Sequence, residues 1–137
     1  MTRADVVARK VARAEGWLAA AERLLDLDGD PPAVAERDLA SFYLQLAIQE
    51  CIDLAAHWVA DDGLTVPETA AGTFGVLADA RLLTDDHAAL LAASAGLRNR
   101  IAHGYAALDA QRIRAEAPRG LTALRRFLVA VSERAGS

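Results

Sequence analysis

Apolar residues recur along this chain at steps of three and four, the spacing that lines up one face of an α-helix. Val7, Val11, Ala14, Leu18, Ala21 and Leu25 form the first such stripe. Thr2 and Asp5 precede it as a capping box with Asp in place of the usual Glu, and Asp28-Gly29-Asp30-Pro31-Pro32 follows as its stop. A second helix is predicted from Ala33 to Ala60, with Leu44, Ile48, Ile52, Ala55 and Val59 on its apolar face and Phe42, Leu46 and Trp58 beside it. Asp61-Asp62-Gly63 ends it. Pro67 and Gly72 lie in the connection to a short helix predicted over Phe74 to Ala80. Thr84-Asp85-Asp86 reads as the cap and acidic first turn of a fourth helix, which carries Leu90, Leu91, Leu97 and Ile101 and ends or bends at Gly104. The last helix is predicted from Leu108 to Arg134, with Leu121, Leu124, Leu128 and Val131 on one stripe and Pro118, followed by Gly120, expected to kink or split it.

Strand patterns are almost absent. The expected fold is all-α: a single domain over residues 1–137, an up-and-down bundle of four to five helices. That length can bury a core without disulfide or metal. Hydrophobic residues make up 53% of the chain and aromatics only 5%, so a core of Leu, Val, Ile and Ala is expected. The two long amphipathic helices at the start also suit a dimer interface. Cys51 is the one cysteine, which excludes an internal disulfide and a thiolate zinc site and fits a reducing cytoplasm. No apolar signal region shows at the N-terminus, and no apolar run reaches the roughly 20 residues of a membrane span, so a cytoplasmic protein without membrane association is expected.

The net charge of −4 argues against a nucleic-acid partner until its distribution is considered. Residues 1–97 carry 7 Lys or Arg against 16 Asp or Glu, whereas residues 98–137 carry 8 Arg against 3 Asp or Glu. The basic third invites an anionic ligand, and a solvated arginine face accounts for it equally well.

That basic third opens with the segment Arg98-Asn99-Arg100-Ile101-Ala102-His103-Gly104-Tyr105. Cleaving RNA needs a base for the ribose 2′-hydroxyl proton, an acid for the leaving 5′-oxygen, and positive charge against the phosphate. A histidine can be base or acid near neutral pH. An arginine offers a permanently charged planar fork that fits phosphate. Asn99 is four residues before His103 and shares its helix face, where an amide can orient the imidazole. Arg98 and His103 are five residues apart, about 140° around an ideal helix, so they converge only across a dimer or through a bend at Gly104. One histidine can hardly be acid and base at once, and two copies around a two-fold axis remove that difficulty.

Arg98 with Asn99, His103 five residues after the arginine, and then Gly104-Tyr105 resembles the signature of the HEPN superfamily, and within it the HepT toxins. The stretch Phe42-Tyr43-Leu44-Gln45-Leu46-Ala47-Ile48-Gln49-Glu50-Cys51-Ile52-Asp53-Leu54-Ala55 is similar to that family's second helix. Thr73-Phe74 with Leu77, Gly96-Leu97 and Asp109 extend the likeness, which covers Phe42 to Asp109; outside it only helical periodicity matches. The resemblance implies a HEPN-like bundle and a metal-independent ribonuclease toxin of a bacterial or archaeal toxin–antitoxin pair, with a composite site across a homodimer. It assigns catalysis to Arg98 and His103 and support to Asn99 and Tyr105. It also implies a partner, a minimal nucleotidyltransferase antitoxin called MntA, which transfers AMP from ATP to the motif tyrosine, here Tyr105. The alternative is a catalytically silent HEPN binding module that is partner or substrate of a nucleotidyltransferase.

Arg100, Arg112 and Arg114 are the candidates for contacting the RNA backbone, with Arg119, Arg125 and Arg126 further along the same path. His57, four residues after Asp53, is expected to pair with it, and His87 is expected to be a solvated surface residue. Cys51 is expected buried, and Trp17 and Trp58 in the core or an interface. Asp61-Asp62 and Asp85-Asp86 read as helix-end punctuation. No set of His, Cys or carboxylates has metal-ligand spacing, so neither metal nor cofactor is expected.

Overall fold

The computed structural model describes residues 2–25, 29–30, 32–103 and 110–136, without the side chains of 100–103 and 110–113. Five helices follow in order: α1 (Arg3–Leu25), α2 (Val34–Asp61), α3 (Ala70–Asp79), α4 (Asp85–His103) and α5 (Ala110–Ala135). No strand occurs among the described residues, and the expected all-α bundle is the fold. None of the described helices is long and apolar enough to cross a membrane.

The α1 stripe is buried from Val11 to Leu25, and Val7 packs against its edge. At its start the Thr2 backbone N–H donates to Asp5 Oδ2 at 2.9 Å and the Asp5 N–H to Thr2 Oγ1 at 3.1 Å, which is the expected capping box. Those bonds hold the Asp5 carboxyl below its ordinary pKa, the bond from the Thr2 backbone contributing most. The helix α2 is the centre of the bundle, packing against each of the other four. It therefore buries more than one stripe. Leu44, Ile48, Ile52, Ala55 and Val59 are buried as expected, and so are Ala40, Ala47, Cys51 and Leu54. Gly63 ends the element with φ of 66°, which lets the Leu64 N–H reach the Val59 carbonyl at 2.9 Å.

Two boundaries differ from expectation. The helix α3 begins at Ala70 rather than Phe74, because Thr69 Oγ1 accepts from the Gly72 N–H at 3.1 Å and the small residues after it continue the helix without making an apolar stripe. The helix α5 runs through Pro118 as one element, so the expected split does not occur. Pro118 is exposed, while Ala117, Leu121 and Leu124 around it are buried in the core. Gly104, Leu108 and Asp109 lie outside the described residues.

The core is mostly aliphatic but its middle is aromatic. The Phe127 ring meets Phe74 edge-on at 5.4 Å and Trp58 at 6.2 Å, and Phe74 and Phe127 are both fully buried. Truncating either to Ala would cost about 3 to 5 kcal/mol. Trp17 is partly buried, with the Arg13 guanidinium over its ring at 5.6 Å.

Candidate functional site

Arg98 and Asn99 sit on the penultimate turn of α4, and His103 is the last residue of that helix. Arg98 is half-buried and reaches from α4 to α2, where its Nη1–H donates to Gln49 Oε1. Its Nε–H donates to Asn99 Oδ1 at 3.1 Å, and Nη2–H donates to the same oxygen. Three of the five guanidinium N–H groups are thus held, all by neutral amide oxygens. No described carboxylate pairs with Arg98. Gln49 in turn donates through Nε2–H to Asp53 Oδ1 at 3.0 Å.

Asn99 is exposed and directs its carbonyl oxygen to Arg98. The side chains of Arg100, His103 and Arg112, and Tyr105 altogether, lie outside the described residues. Arg114 is fastened: its Nη2–H donates to the Gly29 carbonyl at 2.8 Å, tying α5 to the connection between α1 and α2. Arg125 pairs with Glu22 at 2.7 Å, and that bond keeps the Glu22 carboxyl below its ordinary pKa. Arg119 and Arg126 are exposed. Beside the motif runs a mostly apolar groove of about 540 Å³ between α2, α4 and α5, bordered by Leu44, Ile48, Leu97 and Leu121.

A family model described as ribonuclease HepT-like matches residues 33–131, which takes in all of α2 to α4 and most of α5. The chain belongs to the HepT-like ribonuclease family. No curated protein sequence matches it. Solved structures share the fold of this HepT-like chain. The crystal structure of a toxin–antitoxin with AMP-PNP contains a chain 21% identical, with a TM-score of 0.83, aligned over 94% of this chain and 98% of that one. A tri-AMPylated Shewanella oneidensis HEPN toxin in complex with MNT antitoxin is also 21% identical, with a TM-score of 0.83 over 97% and 99% of the two chains. YutE from Bacillus subtilis, a cytosolic protein of unknown function, is 14% identical, with a TM-score of 0.80 over 97% and 90%. At such identities the likeness is one of fold.

Several side chains of the HepT-like bundle escape a reading of single helices. His87 is buried, not solvated: its Nε2–H donates to the Ala123 carbonyl of α5 at 2.9 Å, while its backbone N–H is capped by Thr84 Oγ1 at 3.1 Å. The first turn of α4 lies beneath α5, which only the tertiary packing reveals. His57 is exposed and does not pair with Asp53, whose carboxylate accepts from Gln49 instead. Glu50 is buried and accepts from Lys10 at 3.1 Å and from Arg13 at 3.1 Å, both on α1. Cys51 is buried as expected; burial, reinforced by the Glu50 charge, pushes its thiol up to about 12, which removes it as a nucleophile at neutral pH. The i,i+4 spacing of Gln49 and Asp53 was the one visible signal for the contacts behind Arg98.

Proposed function

We propose that the chain is an endoribonuclease toxin that acts as a homodimer and is silenced by AMPylation of Tyr105 by an MntA-like nucleotidyltransferase. Family membership supports the nuclease, and one observation carries it to this site: Arg98, on the helix that ends in His103, is held in place by the neutral amide oxygens of Gln49 and Asn99.

In this reading the 2′-oxygen attacks the adjacent phosphorus as His103 of one protomer takes its proton. The bond from phosphorus to the 5′-oxygen breaks, and that oxygen receives a proton from the second His103. The products are a 2′,3′-cyclic phosphate end and a 5′-hydroxyl end. The paired Arg98 forks bind the phosphate and stabilise the charge that builds on it, without a metal. Arg100 and Arg112 extend the basic track for the flanking backbone.

An exposed seam supports the dimer. Leu39 and Phe42 are 43% and 49% exposed, and with the half-buried Leu46 they follow the three- and four-residue steps that continue to Gln49 and Asp53. A second copy seated on that apolar seam lies next to Arg98, which is where a shared cleft requires it.

The solved relatives described as AMPylated or as bound to an antitoxin favour the control step. Transfer of AMP from ATP to the Tyr105 hydroxyl releases pyrophosphate and leaves a negative phosphodiester two residues from His103. That charge competes with RNA for Arg98. The test is expression with and without an MntA-like enzyme, followed by intact mass. Growth arrest by the chain alone, with AMP additions on co-expression that vanish in Tyr105→Phe, is expected. A neutralised chain of unchanged mass would contradict AMPylation.

A further inference from the structure

Gln49 stands behind Arg98, and the way its amide is turned is dictated by its neighbour. An ionised carboxylate only accepts hydrogen bonds, so Asp53 Oδ1, 3.0 Å away, must face the Gln49 NH2 group. The other end of the amide, Oε1, is then presented to Arg98 Nη1–H. Asn99 Oδ1 holds the Nε and Nη2 side of the same guanidinium. The remaining two N–H groups, one on each Nη, have no partner among the described residues. On those observations, and on the nuclease reading above, we infer that Gln49, oriented by Asp53, is a positioning residue that aims the Arg98 guanidinium at the phosphate through a neutral oxygen.

The adjacent position shows the other choice. Glu50 gives Lys10 and Arg13 a carboxylate, and those cations tie α1 to α2. A carboxylate at position 49 would hold Arg98 more tightly, but it would spend the charge that the phosphate needs. An amide fixes direction without that cancellation. Asp53 acts at one remove: its charge orients the amide and does not touch the guanidinium.

The test combines two readouts on the full chain, with thermal unfolding confirming that each variant folds. The first is the set of Arg98 Nη–H nuclear magnetic resonances, assigned by their absence in Arg98→Lys. They should be resolved in the wild type and merge in Gln49→Leu as the guanidinium gains free rotation. The second is the single-turnover cleavage rate of an RNA oligonucleotide. It should fall about ten- to a hundredfold in Gln49→Leu, as expected for a misaimed group. Gln49→Leu should cost nothing further on an Arg98→Ala background, because both changes act through the same group. Gln49→Glu should keep the Nη resonances resolved and still lose rate, which a merely structural role would not produce. Asp53→Asn, which allows the amide to turn over, should fall between wild type and Gln49→Leu. Unaltered Arg98 resonances in Gln49→Leu, or wild-type cleavage by Gln49→Glu, would overturn the inference. A wild-type chain that cuts no RNA would sink the nuclease reading, and the resonances would then still uphold or overturn the hold of Gln49 on Arg98.

Discussion

Glu50 and Gln49 are neighbours on α2 and treat positive charge in opposite ways. The Glu50 carboxylate is 8% exposed, whereas Lys10 is 23% and Arg13 50% exposed. That imbalance predicts an unequal response to substitution. Replacing both Lys10 and Arg13 with Met strands a carboxylate away from water and should cost about 3 to 5 kcal/mol. Glu50→Gln leaves two cations that can turn to solvent, and should cost only about 1 to 2 kcal/mol. Urea unfolding measures both, and equal costs would contradict this account of the cluster. The motif itself was legible from Arg98, Asn99, His103 and Tyr105 in the sequence. What supports Arg98 was less so, because Gln49 lies 49 residues earlier and its role depends on how α2 packs against α4. The same reason hid His87 and Glu50, whose partners are 36 to 40 residues away.

Helix ends show a second kind of asymmetry. Gly63 and Arg81 occupy equivalent places after α2 and α3, with φ of 66° and 64°. In both, a backbone N–H reaches back to close the helix: Leu64 to Val59 and Leu82 to Leu77, each at 2.9 Å. The left-handed conformation suits glycine and strains arginine by about 1 kcal/mol. Gly63→Ala should therefore destabilise the chain by about 1 kcal/mol, lowering Tm by roughly 3 to 5 °C. Arg81→Gly should raise stability by up to about 1 kcal/mol, since relief of strain outweighs the added freedom of the unfolded chain. A calorimetric scan in which both variants moved the same way would count against the geometry. At this scale the sequence was highly readable, because long stripes such as Leu121, Leu124, Leu128 and Val131 have one helical solution. The reading faltered where that signal thins. The first turn of α3 is Ala70-Ala71-Gly72-Thr73, too small to form a stripe, and its cap at Thr69 becomes evident only from the bond to Gly72.

Across the whole molecule, the acidic first two-thirds and the basic last third meet in the bundle. Part of that basic surplus is spent on structure: Arg125 on Glu22, Arg134 on Asp61 and Asp62, and Arg114 on the Gly29 carbonyl. Charge counting along the sequence could not separate those from cations available to RNA. Assembly is the larger consequence. If two copies meet along Leu39, Phe42 and Leu46, then Phe42→Glu should convert the dimer to a folded monomer, read by light scattering after size exclusion, and cleavage should fall with it. A variant that remained dimeric would place the interface elsewhere. The central claim, that the Arg98 to Tyr105 segment cuts RNA, is tested most directly with purified wild-type and His103→Ala chains. Each is mixed with RNA in the presence of a metal chelator, and the product ends are analysed. The account predicts 2′,3′-cyclic phosphate ends from the wild type and none from His103→Ala, at equal helical content by circular dichroism. Undiminished cleavage by a folded His103→Ala chain would contradict it.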